Sequence, residues 1–224
     1  MQAEMKEQTQ QHQVSIVGIF RDKRLRSALW LCLVAMVARQ FSGYTVIVNY
    51  STAIFTGVGL NRQGALLATL GLWGVSLNGT LLSLFLVDRA GRKTLLLTCE
   101  AGLVVSMSIF ITFAALKKEG YTWTEYGSVA CFFAILLFNQ TGLASIAYIL
   151  PAELFGQEAR CAAISVATGV AALCAVCTTF LFPVLEALIE EYTYIIFIGV
   201  LVAAAAFSAV KLPETKGKTI AEIH

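Results

Sequence analysis

Charge is what this chain has least of. Lys, Arg, Asp and Glu make up 13% of its 224 residues, against 58% apolar ones, and the mean hydropathy is +0.75. A soluble domain of that length needs far more polar surface, so a water-exposed globule is excluded. Histidine is nearly absent: His12 and His224 lie in polar end segments, neither placed for buried base chemistry or metal binding. No glycine-rich phosphate loop with its lysine occurs, which argues against an ATP-driven pump. With no catalytic constellation and no metal-ligand cluster, the sequence predicts neither an enzyme nor a cofactor. The basic residues form short clusters beside apolar blocks, which is not a nucleic-acid surface.

The apolar residues arrive in six blocks, each close to the roughly 20 residues that cross a bilayer core. The predicted spans are 27–54, 64–87, 94–116, 126–150, 159–181 (stopped by Pro183) and 192–212. The fold class expected is an all-α polytopic membrane protein in contact with the lipid bilayer. Met1–Gln13 is polar and mixed in charge and does not read as a secretory leader. A short amphipathic segment is expected just before Arg21, Lys23, Arg24 and Arg26. The six cysteines fall mostly inside apolar blocks and read as small buried apolar residues; Cys174 and Cys177, separated by two residues inside the fifth apolar block, are read the same way and not as a redox pair.

Six spans return the chain to the side it started from. One set of loops carries Lys6, Arg21, Lys23, Arg24, Arg26, Arg89, Arg92, Lys93, Arg160, Lys211, Lys216 and Lys218. The other carries only Arg62, Lys117 and Lys118, beside Glu186, Glu190 and Glu191. By the positive-inside rule both termini face the cytoplasm. Small residues recur within the spans, including Gly43, Gly71, Gly74, Gly79, Gly142 and Gly169, and imply close helix approach and helices able to bend.

Polar side chains inside the spans are the candidate site. Arg39, Gln40, Ser42, Thr45 and Asn49 form a polar feature in the first span. Arg39 lies thirteen residues past Arg26, about 20 Å of helix rise, too far to reach the inner surface. It should therefore face the bundle, a watery cavity or a partner. Ser76, Asn78, Asn139, Gln140 and Tyr148 are the further groups that could line a neutral polar passage. Glu100, near the start of the third span, is expected close to the inner face in a structural or gating role.

Four motifs at span edges then become specific: "QFSG" at Gln40–Gly43 followed by "YST" at Tyr50–Thr52, "DRAGRK" at Asp88–Lys93, "PAELF" at Pro151–Phe155 with Arg160, and "PETKGKT" at Pro213–Thr219. With them the chain resembles the C-terminal six-helix half of a sugar porter, the facilitated hexose transporters of the major facilitator superfamily. The resemblance implies that residues 1–26 match the end of the central cytoplasmic loop, 27–212 the six-helix half and 213–224 a cytoplasmic tail. It implies facilitated diffusion of a small neutral solute, a monosaccharide, by alternating access across the plasma membrane. Gln40, Arg39, Thr45, Ser76, Asn78 and Tyr148 would contact substrate. Asp88, Arg89, Arg92, Glu153, Arg160 and Glu214 would form cytoplasmic charge pairs that open and close with the cycle.

The pocket positions depart from the family. The first of its two adjacent glutamines is Arg39, an expected asparagine is Thr45, another falls on Ser76 with Asn78 two residues away, and its tryptophan is Tyr148. The Gly-Pro-rich segment is reduced to "TGLASIA", and the usual Asn-Trp pair of the fifth span is Ala171-Ala172. The resemblance also implies a second six-helix half, or an oligomeric partner, to complete the passage. The alternative is a non-transporting membrane protein that binds or regulates another through its helix faces. Orientation is checked by labelling in a cysteine-free background. Lys118→Cys is expected to react with an impermeant maleimide on intact cells, and Lys93→Cys only after permeabilisation; the opposite result reverses the topology.

Overall fold

The computed structural model describes residues 16–121 and 123–212, and all of their regular structure is helical. The polar arm up to residue 15 and the 213–224 segment, with Glu214, lie outside the described residues. A short helix α1 (Ile16–Arg21) precedes α2 (Lys23–Phe41) and α3 (Tyr44–Val58). Then come α4 (Arg62–Ala90), α5 (Arg92–Lys118) and α6 (Thr124–Phe138). A π turn (Asn139–Ala144) joins α6 to α7 (Ser145–Leu154). Finally α8 (Gln157–Ile189) passes through a 3₁₀ turn (Glu190–Tyr192) into α9 (Thr193–Lys211). Six stretches are long and apolar enough to cross a membrane: α2 with α3, α4, α5, α6 through α7, α8, and α9.

In the bundle α2, α3 and the α6–α7 span are central. Helix α8 packs on one flank, against α2, α3 and α7, and α4 on the other, against α3, α6 and the π turn. Behind them α5 packs on α6 and α9. Small side chains set these distances. A Cβ on Gly142 would lie 2.4 Å from Cys99 Sγ, and one on Gly102 2.7 Å from the Phe138 ring, so α5 and the fourth span approach as only glycine allows. An aromatic cluster fills the centre: Phe110 lies 4.6 Å from Phe132 and 4.8 Å from Tyr194, and Tyr194 6.0 Å from Phe182, ring centroid to centroid.

Three details differ from the expectations above. The first span is not one helix: it breaks at Ser42–Gly43, where Gly43 adopts φ +76°, a left-handed conformation that glycine accepts without Cβ strain. Ser42 Oγ mends the break by donating to the Arg39 carbonyl at 2.6 Å. The cysteines are not uniformly interior, since Cys32, Cys99 and Cys131 are buried while Cys161 and Cys177 are exposed on α8. The fifth span does not stop at Pro183 but runs on to Ile189.

The reason is local. Proline has no N–H, so Pro183 leaves the Thr179 carbonyl, four residues back, without its helical donor. The Tyr50 hydroxyl on α3 donates to that carbonyl at 3.0 Å, and Asn49 Nδ2 reaches Thr179 Oγ1 at 3.1 Å. The neighbouring span supplies what proline removed. Tyr50→Phe is therefore expected to destabilise the bundle by about 1 kcal/mol. In a Pro183→Ala background the cost should shrink, because the new backbone N–H reaches Thr179 instead. Reversible unfolding in mixed micelles measures the cycle, and an identical cost in both backgrounds refutes the account.

Candidate functional site

The break in the first span and the π turn in the fourth lie side by side, and the polar side chains gather there. Asn139 Nδ2 donates to Ser42 Oγ at 2.5 Å, joining the two irregular points directly. Gln140 Nε2, one residue on, donates to Ser76 Oγ of α4 at 2.6 Å. Ser145 Oγ reaches both Ser83 Oγ at 2.7 Å and the Gln140 carbonyl at 2.9 Å. A π turn misaligns the helical ladder, and a local hydroxyl takes up the displaced carbonyl.

Gln40 is buried and holds two helices together. Its Nε2 donates to the Ala171 carbonyl on α8 at 3.0 Å, and its Oε1 accepts from Thr45 Oγ1 at 2.7 Å. Among the candidate substrate contacts, Gln40 and Thr45 are thus bonded to each other, and Ser76 to Gln140. Asn78 stands apart from them. It is exposed, and its Nδ2 donates to the Gly74 carbonyl of its own helix at 2.8 Å. Ser76 and Asn78 are two residues apart on α4 and so point in widely separated directions.

Arg39 and Tyr148 meet across the α2–α7 contact. The Arg39 guanidinium carbon lies 5.0 Å from the Tyr44 ring centroid and 5.3 Å from that of Tyr148, both within cation–π range. Tyr148 is 49% exposed, which places the pair on an open side of the bundle. Arg39 Nε is itself buried and has no acceptor among the described residues. The sequence marked Arg39 as an interior charge; that two tyrosines flank it was not legible, because Tyr148 is over a hundred residues away.

A second cluster occupies the bundle end where α4 meets α5. Arg92 Nε donates to Glu153 Oε1 at 2.9 Å, its NH1 to the Val87 carbonyl at 3.2 Å, and its NH2 lies 3.5 Å from Asp88 Oδ1. One guanidinium so links the ends of α4, α5 and α7, in a forked geometry that lysine lacks. Arg89 sits beside it on the last turn of α4. Arg160, on α8, has its Nε buried without a partner among the described residues. Glu100 is wholly buried between the helices, and neither carboxyl oxygen has a hydrogen-bond partner among the described residues. No group of three or more metal-ligating side chains occurs among the described residues.

A cleft of about 690 Å³ opens at the other end of the bundle, lined by Tyr50, Phe110, Lys117, Lys118, Glu186 and Tyr194, with none of the candidate substrate residues in its walls. Its lysines are engaged, Lys117 with Glu125 at 3.6 Å and with the Gly57 carbonyl at 2.8 Å, and Lys118 with Glu190.

The family model described as "Sugar (and other) transporter" matches residues 1–224. The chain belongs to that family. It is 33% identical over 228 residues to the facilitated glucose transporter member 3 of solute carrier family 2 from Canis lupus familiaris, covering all of this chain and 44% of that protein. It is 36% identical over 230 residues to the Mus musculus member 3, covering 45% of it, and 32% identical over 223 residues to the Gallus gallus member 2, covering 41%. The chain thus spans less than half the length of these relatives.

Solved structures agree on the fold. A D-xylose–proton symporter superposes with TM-score 0.76 at 22% identity, over 98% of this chain and 49% of that one. A double-tryptophan mutant of XylE gives TM-score 0.77 at 24% identity, over 88% of this chain and 42% of its own. The six helices therefore form one half of the major facilitator fold.

Because Gln40 bonds across two helices, its loss should be felt without any ligand. Gln40→Leu is expected to cost about 1–3 kcal/mol of stability, the penalty of stranding the Thr45 hydroxyl and removing a buried tie. Unfolding of the purified chain reads this directly, and an unchanged midpoint would show that the bond contributes nothing.

Proposed function

We propose that this chain is one half of a sugar-translocating unit, carrying a monosaccharide by facilitated diffusion and alternating access once a second six-helix bundle covers it. The observation that carries the reading is the unequal burial of the spans, in a chain that belongs to a sugar-transporter family. The most apolar stretch of α8 is only 11% buried and that of α4 28%, against 56% for the span formed by α6 and α7. Leu70, Trp73, Leu77, Leu173, Phe180 and Leu188 leave both flanking helices with broad apolar faces. Lipid covers such faces, and so does a second bundle; the polar groups between the flanks then become the wall of a passage.

In this reading the Arg92–Glu153–Asp88 cluster, with Arg89, Arg160 and Glu214, closes the cytoplasmic end and releases as that end opens. Both termini face the cytoplasm of the plasma membrane, as the basic loops favour. The second bundle is supplied either by further chain or by a separate molecule. The relatives named as facilitated glucose transporters support a hexose-like solute.

Liposomes holding the 224-residue chain alone, at one molecule per vesicle, are expected to take up no labelled hexose above empty vesicles. Adding a second six-helix bundle from the same family should produce saturable uptake. Uptake by isolated copies removes the need for a second bundle, and no uptake in either preparation favours a non-transporting, partner-binding role.

A further inference from the structure

We infer that Arg39 makes this site select a sugar acid, a hydroxylated monocarboxylate, over a neutral hexose. The inference rests on the sugar-transport reading above and changes the class of sugar. Arg39 lies in the last turn of α2, beside the break in the first span and deep in the sequence of that span. Its guanidinium carries a permanent charge and five N–H donors. Among the described residues no carboxylate pairs with it; Asp88 and Glu153 lie with Arg92, Glu125 with Lys117, and Glu190 with Lys118. Glu100, the other charged side chain enclosed by the helices, has both oxygens unbonded and so does not neutralise Arg39.

What holds the guanidinium is aromatic. Tyr44 and Tyr148 stand 5.0 and 5.3 Å from its central carbon. Their rings stabilise the cation but offer no lone pair to its N–H groups, and buried Nε has no acceptor among the described residues. An intramembrane charge left in this condition marks a ligand position. The missing partner must be an anion that accepts two parallel hydrogen bonds, and a single arginine balances a single negative charge. A carboxylate meets both requirements; a phosphate dianion would leave one charge over. The half-exposed Tyr148 gives the ligand a route in and an aromatic face for the sugar ring. Gln40 is already bonded to Thr45 and to α8, and the cationic donors at this level are those of Arg39.

The test is a ratio, because a merely structural arginine would alter binding of all sugars together. The purified full chain in lipid nanodiscs is titrated with radiolabelled D-glucuronate and, separately, D-glucose. Glucuronate is expected to bind more tightly than glucose and to weaken with added salt. Arg39→Gln should cost glucuronate about 30-fold and leave glucose little changed, so that the preference reverses. Arg62→Gln, an exposed arginine at the start of α4, should leave the ratio as it was. As a second measurement, glucuronate but not glucose should slow modification of Arg39 by phenylglyoxal, read by mass spectrometry. An unchanged ratio in Arg39→Gln, or glucose preferred by the unsubstituted chain, overturns the inference while sparing the sugar-transport reading. Absence of binding and protection by both sugars also overturns the inference, while the sugar-transport reading is decided by the uptake experiment with a second bundle.

Discussion

Inside a bilayer every backbone N–H and C=O must find a partner within the protein, and this bundle is organised around the places where its helices cannot supply one. At three such places among the described spans a hydroxyl makes the repair. The first span breaks at Ser42–Gly43, the fourth shifts register at the π turn, and the fifth carries Pro183. Each is mended by a hydroxyl: Ser42 for the Arg39 carbonyl, Ser145 for the Gln140 carbonyl, Tyr50 for the Thr179 carbonyl. The repair at Pro183 and the Asn139–Ser42 bond are also contacts between spans. Local irregularity and tertiary packing are therefore one problem with one solution.

That coupling explains where the candidate site lies. A regular transmembrane helix turns only side chains toward its neighbours, whereas broken and bulged helices bring backbone and polar groups to one level of the bundle. Gln40, Thr45, Ser76, Asn139 and Gln140 all meet at that level, and their bonds tie four spans together. Arg39 is different. Aromatic rings flank it and no acid neutralises it, so its charge remains an open requirement of the fold. The cluster around Arg92 solves the opposite problem, satisfying a charge at the water-facing end by gathering three helix termini on one guanidinium.

Sequence expectations met the same physical limit at several points. Pro183 reads as a stop because proline ends an isolated helix, and it does not stop α8 because Tyr50 sits opposite. Asn78 reads as a passage residue beside Ser76, yet the helical turn sends it elsewhere, onto Gly74. Glu100 reads as an acid close to the inner face, and only the packing of α5 against α9 and the π turn shows that it is enclosed among helices. In each case the chain distance was right and the facing partner was unknown.

The sequence by itself determined the number of spans, their approximate ends and the family, because hydropathy over about 20 residues and motifs at span edges are local properties. It also set Arg39 thirteen residues past Arg26, about 20 Å of helix rise from that basic cluster. Only the tertiary structure decided which polar groups bond one another and which are left open. Those pairings join residues as far apart as Gln40 and Ala171, or Asn139 and Ser42. They depend on the rotation and register of packed helices, which small residues such as Gly142 and Gly102 set to within a few tenths of an ångström, and hydropathy carries no information at that scale.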